Sequence, residues 1–149
     1  MKKILIIGCS GSGKTTLATR LAELLRLPHI NLDGYYWQPG WTPTPLEKWR
    51  DVSNELADQP QWIMDGTYGS TLNYRLQSAD TVVYLDMSTW TCLSRVVRRT
   101  ISNLGKTRPH MTDGCPERFD FDFLHYVLSY RIARRKKHLS LPSSYDITS

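Results

Sequence analysis

Eight consecutive residues, Gly8-Cys9-Ser10-Gly11-Ser12-Gly13-Lys14-Thr15, carry the most legible chemistry in this chain of 149 residues. Three glycines let the backbone curl closely enough for several N–H groups to point at one anion, which bulkier residues would forbid. Lys14 adds a rotatable positive charge, and Thr15 adds a hydroxyl able to reach a divalent cation. Together they fit G-x-x-x-x-G-K-[ST] without a mismatch, the spacing of a phosphate-binding P-loop. The stretch from Gly8 to Thr16 is therefore the expected cradle for ATP, with Mg²⁺ held at Thr15. Cys9 reads either as an oxidisable thiol or as a small residue filling a tight turn.

A loop of this kind works only where a strand delivers it and a helix receives it. Ile4-Leu5-Ile6-Ile7 reads as the strand, and Thr15 to Leu25 as the helix whose N-terminal donors and dipole add to the anion site. Two further strand patterns end in acids: His29 to Leu32 runs into Asp33, and Trp62 to Met64 into Asp65-Gly66. A fourth, Thr81 to Leu85, ends in Asp86. Ligands of open α/β sheets bind beyond the carboxyl ends of the strands, so Asp33 and Asp65 are expected to face the phosphates. Asp65 suits either a metal-bound water or the role of base towards an acceptor hydroxyl. Between the strands, Gly34 to Trp41 is an aromatic loop that could stack a second substrate or form a small apolar cluster. Thr44-Pro45-Leu46-Glu47 reads as a capping box for a helix from Pro45 to Asp58 with Leu46, Trp49, Val52 and Leu56 on one face. Arg75, on a short helix ending near Asp80, reads as an anion clamp or a solvated charge.

Charge is unevenly placed. The formal net charge is +5, yet residues 95–137 contain eleven Lys/Arg against four acids, a local +7, which leaves −2 for the rest. A basic second half beside a P-loop suits a polyphosphate, or nucleic acid; no helix-turn-helix pattern is visible, which disfavours the second. Ser88 is expected to cap a helix to about Leu104 that carries Arg95, Arg98 and Arg99. Residues 105–117 form a lid loop by their Gly, Pro and Asp content, and a long helix follows from Glu117 to about Leu139. Three scattered cysteines suggest neither a disulfide framework nor a zinc site. No run approaches the ~20 apolar residues of a membrane span, and the opening apolar run is too short for a secretory signal. The expectation is one soluble, cytoplasmic domain over residues 1–139, with a disordered tail over 140–149.

The strand–P-loop–helix start, the Leu32-Asp33 strand end, Trp62-Ile63-Met64-Asp65-Gly66-Thr67-Tyr68, and the loop from Gly105-Lys106-Thr107-Arg108-Pro109-His110-Met111 to Gly114-Cys115-Pro116-Glu117 together resemble the bacterial DNA topology modulation proteins, a FlaR-like group related to adenylate kinase. The resemblance implies a three-layer α/β P-loop NTPase of nucleoside-monophosphate-kinase type, with a parallel sheet in the order 2-3-1-4-5 and a basic lid. No fifth strand pattern follows the lid, so four strands in the order 2-3-1-4 are expected. Strand four is then an edge that could support dimerisation. The resemblance further implies an ATP site over Gly8 to Thr16, an acceptor side at Asp33 and Asp65, and lid arginines at Arg95, Arg99, Arg108, Arg131 and Arg135. The activity it implies is transfer of a phosphoryl group from ATP to a nucleoside monophosphate or another small hydroxyl compound. The alternative is an ATP-regulated nucleic-acid-binding protein.

Overall fold

An unbroken apolar run such as Ile4-Leu5-Ile6-Ile7 is what a strand covered on both faces requires. In a computed structural model that describes residues 1–133, this run is central in a four-stranded parallel sheet. The elements are β1 (Lys3–Gly8), α1 (Lys14–Leu25), β2 (His29–Asn31), α2 (Asp33–Tyr36), β3 (Trp37–Gln38), β4 (Thr42–Pro43), α3 (Leu46–Asp58), β5 (Trp62–Asp65), α4 (Leu72–Ser78), β6 (Thr81–Leu85), α5 (Thr89–Asn103) and α6 (Phe121–Ala133). The sheet order is β2-β5-β1-β6, so its parallel strands lie in the expected sequence of second, third, first and fourth. Registers of Ile6 with Asp65 and of Gly8 with Leu85 align the strand ends beneath the P-loop.

Strand periodicity divides the core. Leu5 and Ile7 pack with Trp49 and Leu56 of α3 and with Leu72 and Leu76 of α4. Ile4 and Ile6 point the other way, against Ala18, Leu17 and Leu21 of α1. A third cluster joins α5 to α6 through Cys92, Val96, Val127 and Tyr130. The result is helix, sheet and helix in three layers. Among the described residues no helix is long and apolar enough to cross a membrane.

Several local expectations change. The aromatic loop is not irregular: it is the short α2 followed by the β3–β4 hairpin. Thr44 does not cap α3, because Pro45 occupies the cap position without a side-chain bond, and the Thr44 hydroxyl donates to the Tyr36 carbonyl at 2.7 Å instead. Leu46 is 49% exposed, while Trp49 and Leu56 are buried as the face predicts. Ser88 does cap α5, accepting from the Thr91 N–H at 3.1 Å. The last helix starts at Phe121 rather than Glu117, since Glu117 is held in the lid by backbone bonds with Gly105 and Lys106, and Asp120 accepts from the Phe123 N–H instead. The basic run from Arg134 and the tail lie outside the described residues.

Arg75 is neither an anion clamp nor a solvated charge. It has no exposed surface, and its two Nη atoms donate to the carbonyls of Gly66, Thr67 and Tyr68 at 2.8, 2.7 and 2.9 Å. Burial lowers its pKa to about 10. The guanidinium pins the turn that leaves β5, a job its rigid fork suits better than a flexible ammonium. Arg75→Met should leave two buried carbonyls and one partly buried one short of a donor and destabilise the fold by about 2–4 kcal/mol. Urea denaturation measures this, and a change below about 0.5 kcal/mol, the level of an ordinary surface substitution, would contradict the clamp.

Candidate active site

The P-loop is shaped by what lies beneath it. A Cβ on Gly11 would sit 2.5 Å from the Cys92 carbonyl oxygen of α5, and Gly11 has φ +82°. Gly13 has φ +100° and stands at the N-cap of α1, where no side chain satisfies the first helical N–H groups. Those donors therefore point into the loop as an anion site. The Ser12 hydroxyl is buried without a hydrogen-bond partner among the described residues, a further polar atom that a phosphate oxygen could satisfy. Lys14 Nζ donates to the Cys9 carbonyl at 2.7 Å. Burial lowers the Lys14 pKa, opposed by the carboxylates of Asp33 and Asp65. Burial also pushes the Cys9 thiol up to about 12, so it stays protonated at neutral pH, and the reading as a small packing residue stands.

At the end of β5, Asp65 is 2% exposed and heavily bonded. Its Oδ2 accepts from the Thr15 hydroxyl at 2.7 Å, and Asn31 Nδ2 lies 3.1 and 3.2 Å from its two oxygens. His29 Nε2 meets Oδ1 at 2.7 Å. A hydroxyl beside a carboxylate is a hard-oxygen set that suits Mg²⁺, which keeps much of its shell in water and phosphate. Asp33 is placed differently. Its N–H donates to Asn31 Oδ1 at 3.1 Å, and one carboxylate oxygen accepts from the Tyr68 hydroxyl. Its second oxygen takes no hydrogen bond among the described residues. Burial first, and then the Asp33 charge, raise the Tyr68 pKa, so the phenol remains a donor.

Across the cleft, Arg95 Nη1 is 3.4 Å from the Ser12 carbonyl. Glu117, 6% exposed, gathers the two lid arginines: Arg99 Nε lies 3.7 Å away and Arg108 Nε pairs with the same oxygen. Burial, helped by Arg108, lowers the Arg99 pKa, while Glu117 and Asp33 act to raise it. The lid is docked on the aromatic segment. The Thr112 hydroxyl donates to the carbonyls of Gly34 and Trp37 at 2.9 and 2.6 Å, and Gly40 N–H donates to the Gly114 carbonyl at 2.8 Å. Trp41 Nε1 donates to the Pro116 carbonyl at 2.9 Å. Beneath this roof lies one cleft of about 2070 Å³, whose walls include Lys14, Thr15, Asp33, Asp65, Arg95 and Arg108.

Of the residues singled out by sequence, Gly8, Ser10 to Thr16, Asp33, Asp65, Arg95, Arg99 and Arg108 line that cleft, while Cys9 lies beneath the loop against α5 and α6. Arg131 lies on α6, and its side chain is outside the described set; Arg135 lies outside the described residues altogether. The sequence reading missed His29, Asn31, Tyr68 and Glu117. For the first two a signal existed, since residues 29 and 31 alternate onto one face of the strand that runs into Asp33. For Glu117 none did, because its partners come from α5 and from the far side of the lid loop.

A family model described as an AAA domain matches residues 4–108. The chain belongs to the AAA domain family. An uncharacterized protein, YqaC of Bacillus subtilis (strain 168), is 28% identical to this AAA domain protein over 106 residues, 70% of this chain and 60% of that protein. Adenylate kinase of Streptomyces lividans is 36% identical over 73 residues, 46% of this chain and 36% of the kinase. The chain thus spans less than two thirds of either relative. Among solved structures, shikimate kinase from Acinetobacter baumannii in complex with shikimate aligns with a TM-score of 0.58 at 19% identity, covering 100% of this chain and 83% of that one. That likeness establishes the shared P-loop kinase-like fold.

Two of the loop's three positive-φ glycines, Gly11 and Gly13, should respond differently in this AAA domain. Gly13→Ala meets only Arg95 Nη1 at 3.8 Å, so the cost is that of holding Ala at positive φ, about 1–2 kcal/mol. Gly11→Ala adds a collision with the α5 backbone and should cost clearly more, with weakened binding of a fluorescent ATP analogue. Equal losses in paired thermal melts would show that the loop does not rest on α5 as described.

Proposed function

We propose that this chain is an ATP-dependent phosphotransferase that passes a phosphoryl group to a small acceptor. The observation that carries the reading is that P-loop, Thr15–Asp65 pair, Asp33 and lid arginines all line one roofed cleft. A cleft of about 2070 Å³ exceeds the ~300–1,000 Å³ of a site for one small ligand, so a nucleotide and a second molecule both have room. An enzyme that only hydrolyses ATP would not need the second compartment. Kinase-type relatives and neighbours support the same class.

Each residue then has a task. Backbone N–H groups from Gly11 to Thr15 receive the phosphates, and Lys14 Nζ leaves the Cys9 carbonyl for the transferring group. Thr15 and Asp65 would hold Mg²⁺, which when bound neutralises charge on the phosphate oxygens. Asn31 and His29 fill the remaining bonds of Asp65 and keep it aimed at Thr15, which suits the metal role better than that of base. Asp33, with an open oxygen held in place by Tyr68, is the acceptor-side base. Arg95, Arg99 and Arg108 spread transition-state charge while the docked lid excludes water. These arginines face the cleft, which supports phosphate binding there; the Arg131 side chain and the basic residues from Arg134 to Lys137, on which the nucleic-acid alternative rests, lie outside the described set.

Two outcomes test the reading. Lys14→Ala should reduce Mg²⁺-dependent, acceptor-stimulated ADP formation by about 10³-fold or more with an unchanged thermal melt. Arg108→Ala should lower kcat by about 10²–10³-fold while ATP affinity changes little. If no acceptor raises ADP release above the Lys14→Ala rate, the assignment is wrong.

A further inference from the structure

The class of acceptor follows from where the cations of the cleft go among the described residues, a set that leaves out the Arg131 side chain and everything from Arg134 onward. We propose that the acceptor is an uncharged, ring-bearing hydroxyl compound of nucleoside or sugar type, and not a phosphate monoester; this rests on the phosphotransferase reading and narrows it.

A site for a phosphate monoester needs cations free to grip a second dianion besides the phosphates of ATP. The arginine best placed by sequence to do so, just after the β5 turn, is Arg75, and it is sealed in the wall with both Nη atoms on backbone carbonyls. Arg99 and Arg108 converge on one carboxylate, Glu117, so their charge is half offset before any ligand arrives. Arg95 sits at the P-loop, against the Ser12 carbonyl. Arg118 pairs with Asp120 beside Trp41, 59% exposed at the rim. Arg20, on the outer turn of α1, faces the cleft one turn from Glu23. What the acceptor compartment does present is the open oxygen of Asp33, an acceptor for a hydroxyl and a like charge to any anion.

Its walls suit a ring. Tyr36 lies between Trp37 and Tyr68, at centroid distances of 4.9 and 4.5 Å, and these three rings face the cleft beside Asp33. Aromatic walls with one hydrogen-bonding carboxylate bind flat or puckered neutral rings by stacking and orient one hydroxyl. In the transfer step the hydroxyl oxygen forms a bond to the γ-phosphorus as the bond to the β–γ bridging oxygen breaks. ADP leaves with that electron pair, and the hydroxyl proton passes to Asp33 and then to water.

Matched pairs test this: adenosine against AMP, thymidine against TMP, and ribose against ribose 5-phosphate, each with Mg²⁺-ATP and the full chain. ADP formation reads turnover, and calorimetry with a non-hydrolysable ATP analogue reads binding. In at least one pair the uncharged member should have a kcat/KM on the order of 10²-fold higher than its phosphate ester. Asp33→Asn, although it slows transfer, should shrink the corresponding ratio of dissociation constants to within about tenfold, because the like charge is gone. A phosphate ester that is turned over faster than its parent, in a manner dependent on Lys14, would overturn the acceptor class and leave the kinase standing. A binding ratio unmoved by Asp33→Asn would overturn the role given to that carboxylate. Turnover equal to the Lys14→Ala blank with all six compounds would remove the phosphotransferase reading, and this inference with it.

Discussion

A carboxylate that is 2% exposed must have its lone pairs met, and Asp65 meets them with three side chains from two elements. Thr15 supplies a donor from the first turn of α1, Asn31 and His29 from β2, and the backbone of β5 lies beside β1 and β2 in parallel register. Moving β5 by one residue would turn the carboxylate to the opposite face of the sheet and strand it in the apolar core. The polar network and the hydrophobic alternation therefore demand the same register. That agreement across levels is what sets the P-loop, the second strand and Asp33 in one place.

Much of this was legible in the residues, and the reasons differ by element. The four core strands followed from short apolar patterns and from the P-loop, both local signals, whereas their order was what the resemblance to the topology modulation proteins implied. The cleft faces of Asp33 and Asp65 followed from strand direction. Features built on distant contacts did not. Thr44 looks like a helix cap because Glu47 stands three residues later, but the Tyr36 carbonyl competes for the same hydroxyl and wins. Arg75 looks like a ligand clamp or a solvated charge because it sits on a short polar segment after the β5 turn; its use as a backbone staple depends on three carbonyls that a turn, not a periodicity, turns inward. Glu117 looks like the start of a helix, and only the lid's own pairing shows otherwise.

The glycines of the P-loop show how packing and chemistry coincide. Gly11 is required by the Cys92 carbonyl behind it as much as by the ligand in front, so the α5 helix is the bed on which the anion site is moulded. The same helix carries Arg95 one turn beyond Cys92 and Arg99 one turn beyond Arg95, on neighbouring positions of one face. A shift of α5 would therefore disturb the shape of the loop and the aim of its counter-charges together.

The lid extends that coupling to the acceptor side. Its bonds run to backbone carbonyls of Gly34 and Trp37, the segment that carries Asp33, Tyr36 and the ring wall. Arg108 and Glu117 belong to the lid and Arg99 to α5, so the ion pairs of Glu117 tie roof to wall. Whatever orders the acceptor segment also steadies the lid, and a settled lid holds the arginines over the phosphates. On the proposed phosphotransferase reading, water would be shut out only when the second compartment is organised, which would bias the site towards transfer over hydrolysis. One set of backbone hydrogen bonds would then link recognition of the second substrate to protection of the phosphoryl group in transfer.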